Sequence, residues 1–264
     1  MTDANVSYDV ADNVATIRLA RPDAMNSLTL ATKEELKRAV LEAADDEGVR
    51  CVVVTGSGRA FCVGQDLREH VEALQTKPLE EIWATVPDHF APIALGLATM
   101  PKPVIAAVNG VAAGAGASIA FACDFRIAAE GAGFNTAFAG IGLSCDTGIS
   151  WTLPRLIGRA AAIDLLMRPR TVRAQEAAEL GLLVRVVHAD ELEGATAEFA
   201  RQLAAGPTQA YAAIKRSVNY AATHDLAAAL DFEGEQMAIT GATQDHRDAV
   251  AAFVAKEQPT FRGR

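Results

Sequence analysis

A chain of 264 residues, half of them apolar, has enough material to bury a substantial core in one body or two modest ones. Its formal net charge of −9 excludes the broad basic face that binding along a nucleic acid requires, and no apolar run is long enough to suggest a membrane span. Cys51, Cys62, Cys123 and Cys145 form no CxxC pair or His-spaced metal pattern and no signal-peptide pattern opens the chain, so the expectation is a reduced, cytoplasmic protein with no structural metal.

Val6 to Leu19 alternates as two short strands around the turn Ala11-Asp12-Asn13. LTLATKEELKRAVLEAADD (residues 28–46) then carries the 3.6-residue period of an amphipathic helix, and the charges of this segment, Lys33 among them, read as a solvated face. RCVVVT (50–55) reads as a buried strand closed by the turn residues GSGR. Pro101 and Pro103 end a helical stretch, and VIAAV (104–108) is a second buried strand, stopping at Asn109-Gly110. DFRIAAE (124–130) and LLVRVVH (182–188) predict two more strands; from Ala189 helical patterns dominate, broken at Gly206-Pro207. No Gly-, Pro- or Ser-rich linker divides the chain.

A unit of strand, Gly-rich loop and helix occurs twice, after Thr55 and after Val108. In GRAFCVGQDL (58–67) the Gly64-Gln65 peptide follows a tight loop, and Asp66 suits a helix N-cap. In VNGVAAGAGASIAFACD (108–124), Gly114-Ala115-Gly116 opens a helix whose free N–H groups and dipole favour negative charge. Two such turns side by side supply two convergent N–H donors, the geometry of an oxyanion hole for a thioester enolate. Alternatively, the glycines do no more than let strand and helix pack closely.

Taken in succession, RPDAMNSL (21–28), GSGRAFCVGQDL (56–67), PKPVIAAVNGVAAGAGASIAFACD (101–124) and AELGLLVRVV (178–187) resemble the signatures of the crotonase, or enoyl-CoA hydratase/isomerase, superfamily over almost the whole chain. The resemblance implies an α/β fold: a crotonase-like spiral of repeated ββα units over residues 1–200, holding an oxyanion hole and an acyl-CoA site. A C-terminal helical region, 201–264, then serves trimer contacts and covers the CoA, in a homotrimer or a hexamer made of two trimers. The expected partner is an acyl-CoA thioester. Coenzyme A is part of that substrate, and no separate cofactor or metal is expected.

Carried over by position, the family's oxyanion donors are the backbone N–H groups of Gln65 and Ala115, with Gly64 and Gly114 beside them. A large side chain on Gly114 or Gly116 is expected to obstruct the thioester oxygen. The CoA region maps to Asn26, Ser27, Leu28, Ala60, Asp66, Leu67 and Arg68. Phe253 and Lys256 match a pattern that in relatives reaches a neighbouring subunit's CoA; by spacing alone they equally suit a packed Phe and a solvated Lys. The two glutamates of the family's hydratases fall on Ser118 and Phe138, which cannot orient water or exchange a proton as those glutamates do, and which with Leu143 are expected against the acyl group.

Asp146, in AFAGIGLSCDTGISWTLPRLIG (137–158), stands where several family members carry a functional aspartate. Phe138, Ile141, Leu143 and Trp151 are expected to desolvate it and raise its pKa; an Asp before TGIS also suits a helix N-cap. The resulting expectation is double-bond or ring-epoxide isomerisation of an enoyl-CoA with Asp146 as acid/base, most similar to the isomerases of phenylacetyl-CoA catabolism. The alternatives are hydration of a 2-enoyl-CoA by a non-standard mechanism, and a non-catalytic acyl-CoA-binding subunit. His89 is expected at the surface or at a cap, and Cys145 as a small buried apolar group.

Overall fold

The computed structural model describes residues 4–264. Asp12 and Asn13 both take positive φ, 52° and 61°, the tight turn that folds Val6–Ala11 (β1) back on Val14–Leu19 (β2) in antiparallel register. The first long helix, Leu30–Asp45 (α1), starts two residues later than its periodicity suggests, because the Thr29 side chain takes the cap position and accepts from the Thr32 amide. Cys51–Gly56 (β3) is buried along its whole length, and Ala60–Cys62 (β4) follows after one turn. Asp66 caps Leu67–Thr76 (α2) by accepting from the amides of Arg68 and Glu69, as its sequence context suggests. Leu79–Trp83 (α3), a π-helical turn over Val86–Phe90 and Ala91–Thr99 (α4) lead to the two prolines.

Val104–Val108 (β5), Val111–Ala113 (β6) and Ala115–Ala122 (α5) repeat the pattern, and Phe125–Ala129 (β7) with Gly133–Asn135 (β8) begins it a third time. Ile149–Ile157 (α6), Arg159–Met167 (α7), Val172–Arg173 (β9), Ala174–Glu179 (α8) and Arg185–Val187 (β10) complete the body. The strand expected over 182–188 shrinks to its last three residues before His188, because Gly181 turns the chain at φ 79° and Leu182 leaves that turn buried in the core. Leu192–Ala204 (α9), Thr208–Ala221 (α10), Leu226–Gly241 (α11) and Gln244–Ala255 (α12) are the predicted helices, with the break at Gly206-Pro207.

Two sheets result. The first runs β1-β2-β3-β5-β7-β10, parallel except for the hairpin; the second runs β4-β6-β8-β9, parallel through β4, β6 and β8. Each repeat therefore puts one strand in each sheet: β3 with β4, β5 with β6, β7 with β8. This is the expected ββα spiral. Its main core lies between the large sheet and α1, α4 and α5, and α5, apolar all round, has every residue buried. A smaller core joins the other sheet face to α9.

The last helices are pinned to the body by α10. The Lys215 ammonium donates to the Leu97 carbonyl at 2.9 Å and to the Asp124 carboxylate at 2.8 Å. Ile214, Val218, Leu226 and Met237 stay exposed on this outer layer. No helix among the described residues is long and apolar enough to cross a membrane.

Candidate active site

The second strands of the first two repeats end in turns that touch. Gly64 has φ 86°, and a Cβ built on it meets the Ala113 carbonyl at 3.0 Å and the Ala115 nitrogen at 3.2 Å, so any side chain there is strained and crowds the opposite turn. The Gly64-Gln65 turn is fixed from below: Leu28 N–H donates to the Gly64 carbonyl at 2.8 Å, and Asp66 N–H donates to the Leu28 carbonyl at 3.0 Å. The other turn is anchored by Gly114 N–H on the Asn135 carbonyl at 2.9 Å. The N–H groups of Gln65 and Ala115 have no acceptor among the described residues, and Ala115 opens α5, where the helix dipole adds positive potential. Two free amide donors at adjoining turns can hold a developing oxyanion.

Gly114 and Gly116 serve different ends, and bulk at Gly116 meets the protein rather than a ligand. A Cβ on Gly116 collides with the Cys62 carbonyl at 2.1 Å, so that glycine serves the packing of α5 on β4. Gly114 has free space around its Cα but holds φ 52°, ψ −125°, a conformation for glycine.

The side chains of the first CoA-region residues face inward. Asn26 is fully buried; its side-chain oxygen accepts from Arg21 N–H, and its amide donates to the carbonyls of Ser57 and Ala60. Ser27 donates to Asp66 at 2.8 Å, Arg21 donates to the same carboxylate at 3.1 Å, and Leu28 and Ala60 are core side chains. These side chains build the turns. Burial alone raises the Asp66 pKa, but the Ser27 hydroxyl, the Glu69 amide and Arg21 outweigh it and hold the carboxyl below its usual range. Leu67 and Arg68 are exposed beside the turn, and Phe253, 83 % exposed, and Lys256 project from the end of α12.

Asp146 lies on the loop between β8 and α6. Thr147 next to it holds φ 52°, rare for a β-branched residue, and donates its hydroxyl to Asp146 Oδ1 at 2.7 Å. The cap reading fails: the N-cap of α6 is Gly148, and the Asp146 side chain accepts no backbone N–H among the described residues. Burial pushes the Asp146 pKa up, against the Thr147 hydroxyl and the Lys33 charge. Phe138 is buried and Leu143 half-buried nearby, but Ile141 and Trp151 face outward, Trp151 under the Arg155 guanidinium at 4.1 Å. Ser118 is fully buried and donates to the Gly114 carbonyl at 3.1 Å, which ties it to the turn rather than to an acyl group. Cys145 packs against the main core, as expected.

Lys33 is a residue that the sequence reading misplaced. It is 3 % exposed, and its ammonium donates to Gln65 Oε1 at 3.0 Å and Thr85 Oγ1 at 2.6 Å, 5.3 Å from the Phe90 ring centre. Burial lowers its pKa, opposed by Glu69, Asp146 and Glu34. A signal was present: Lys33 stands three residues before Leu36, on the stripe that Val40 and Ala43 continue. His89 is likewise buried, between Thr85 Oγ1 at 3.2 Å and Glu34 Oε1 at 2.7 Å, not at the surface or a cap.

Among the described residues no three His, Cys, Asp or Glu side chains converge as metal ligands. A cavity of about 420 Å³ between β1–β3 and α9, lined by Arg18, Thr55, Thr196 and Arg201, holds neither Asp146 nor the paired turns.

The family model described as Enoyl-CoA hydratase/isomerase matches residues 9–264. The chain belongs to the enoyl-CoA hydratase/isomerase family. It is 39 % identical over 255 residues to the 1,2-epoxyphenylacetyl-CoA isomerase of Escherichia coli K12, covering 97 % of each chain. It is 33 % identical over 258 residues to the crotonyl-CoA hydratase of Syntrophomonas wolfei, again with 97 % of each covered. The crystal structure of an enoyl-CoA hydratase from Bacillus anthracis superposes with a TM-score of 0.90 at 34 % identity, covering 98 % of this chain and 100 % of that one. As a member of the enoyl-CoA hydratase/isomerase family, the protein is an enzyme with the crotonase fold, and relatives at this distance carry both isomerase and hydratase names.

Proposed function

We propose that the protein is an enoyl-CoA isomerase that uses Asp146 as its acid/base group and the amides of Gln65 and Ala115 as its oxyanion hole. The observation that carries this reading is the carboxyl of Asp146, held by Thr147 and raised in pKa by burial, in a chain whose resemblance to the family puts Ser118 and Phe138 where its hydratases have glutamates. The substrate is an acyl-CoA thioester with a 3-enoyl or ring-derived acyl group, a class supported by the 39 % identity to a 1,2-epoxyphenylacetyl-CoA isomerase.

The Asp146 carboxylate removes a proton from carbon, and the C–H electron pair moves into the chain as the thioester becomes an enolate. The two amides hold the enolate oxygen. Asp146 then returns the proton to a different carbon, the double bond shifts, and no atom is gained or lost. A general base of this kind contributes about 10²–10⁴-fold and one oxyanion donor about 10²–10³-fold. The exposed apolar residues of α10 and α11 support a trimer or a pair of trimers, with Phe253 and Lys256 reaching a neighbouring copy's CoA.

The test offers a 3-enoyl-CoA and a 2-enoyl-CoA separately to the wild type and Asp146→Asn in deuterated, oxygen-18 water. The expected result is conversion of the 3-enoyl substrate without oxygen uptake, lost in the variant. Rapid oxygen-18 uptake by the 2-enoyl substrate establishes a hydratase instead, and acyl-CoA binding with neither event establishes a binding subunit.

A further inference from the structure

A buried lysine with neutral partners touches Gln65, whose amide is one donor of the candidate site, and its charge is felt at Asp146. The Lys33 ammonium donates to the Gln65 side chain and to Thr85; neither is charged, and no ion pair joins Lys33 to a carboxylate among the described residues. Thr85 passes the contact to His89, and His89 to the half-exposed Glu34, which Lys37 meets at 2.9 Å. The acidic groups that act on Lys33 are Glu69 on α2, Asp146 on the loop before α6 and Glu34 on its own helix, and His89 before α4 faces it through Thr85. Glu69 is committed to the Leu30 amide at the start of α1, and Glu34 to His89 and Lys37. Asp146 accepts from the neutral Thr147 hydroxyl and has no cation in direct contact among the described residues.

A buried cation is destabilising unless a negative charge answers it. Gln65 joins that cation to the hole, because the same residue offers its amide to the thioester oxygen and its side-chain oxygen to Lys33. We propose that Lys33 is a positioning residue of the thioester site: a fixed cation that clamps the Gln65 side chain and answers the negative charge on Asp146 before proton transfer and on the enolate after it. The site's net charge is the same in both states, so one preorganised cation serves both without rearrangement. This rests on the isomerase reading above for the enolate, but not for the carboxylate.

The test uses the full chain carrying Lys33→Met, Lys33→Gln or Lys33→Arg. The Asp146 carboxyl titration is followed by carbon-13 NMR, with the resonance assigned through Asp146→Asn, and kcat and KM are measured on a 3-enoyl-CoA. In Lys33→Met the carboxyl titrates at higher pH and kcat falls by up to about 100-fold with KM little changed. Lys33→Gln keeps a donor for Gln65 but shows the same upward titration shift, and Lys33→Arg restores the wild-type titration. If Lys33→Met does not fold, Lys33→Gln gives the decision. An unmoved Asp146 titration in a folded, uncharged variant overturns the proposal. A wild type that fails to isomerise, yet whose Asp146 titration moves with Lys33, overturns the isomerase reading and leaves the cation's role standing.

Discussion

Thr147 holds Asp146 from a backbone with φ 52°, its hydroxyl 2.7 Å from Oδ1. A β-branched residue in that region is strained by about 1–3 kcal/mol, and here the strain points a donor at one carboxylate oxygen and leaves Oδ2 without a bond among the described residues. Thr147→Val keeps the shape and removes the donor, so the acid limb of the pH–rate profile moves up and kcat falls by about tenfold, the two measured together. Thr147→Gly relieves the strain; its Tm stays level or rises while kcat still falls. An unchanged acid limb in Thr147→Val rules out the hydroxyl as a determinant of Asp146.

Asp146→Asn separates activity from stability. The folded carboxyl has a raised pKa, so the native state holds its proton at pH values where the unfolded chain has released it. That stability is full below the unfolded pKa of about 3.9 and is lost as pH rises through the folded value. The variant is therefore more stable than wild type at neutral pH, and the difference in Tm shrinks on acidification, while kcat falls by about 10²–10⁴-fold. Thermal melts across the acid range check the sign. A difference that grows on acidification contradicts it.

Two neighbouring glycines fail in different ways. Gly116→Ala places a Cβ 2.1 Å from the Cys62 carbonyl and yields little folded protein. Gly114→Ala meets no atom within 4 Å, but strains φ 52°, ψ −125° by about 1–3 kcal/mol and turns the Ala115 amide. It folds with a lowered Tm and loses about 10²-fold in kcat. Soluble yield, Tm and turnover of the pair distinguish packing from catalysis.

The sequence reading and the structure agree where a segment carries its own boundaries. Val104–Val108 matches residue for residue because an apolar run lies between Pro103 and Asn109-Gly110. The second sheet left no comparable trace: β4, β6 and β8 have three residues each, too few for a period to show. The paired turns were legible through their glycines. Lys33 and His89 were not, because burial of a charged side chain is decided by partners brought from remote segments, here Gln65, Thr85 and Glu34. The cap role offered for Asp146 went two residues further along, to Gly148, whose φ of 76° suits glycine at no strain.

Lys215→Met tests how the last helices are held. Asp124, raised in pKa by burial and bonded to the Val104 amide, loses its cation in this variant. The expected loss is about 3 kcal/mol by denaturant titration, and Asp124→Asn in the same background recovers part of it. A variant as stable as wild type removes the pair from the attachment of α10.

The pairing of β4 with β6, Ala60 to Val111 and Cys62 to Ala112, places consecutive repeats one ladder rung apart just before each donor amide. Rung spacing in a sheet is about 4.7–4.9 Å and does not depend on side chains. In the proposed function, the part of the site that grips the thioester is thus drawn by the backbone, whereas the carboxylate that would move the proton hangs on a loop. On that reading, a chain with this scaffold can exchange its reacting groups position by position and leave the two amide donors where the ladder sets them.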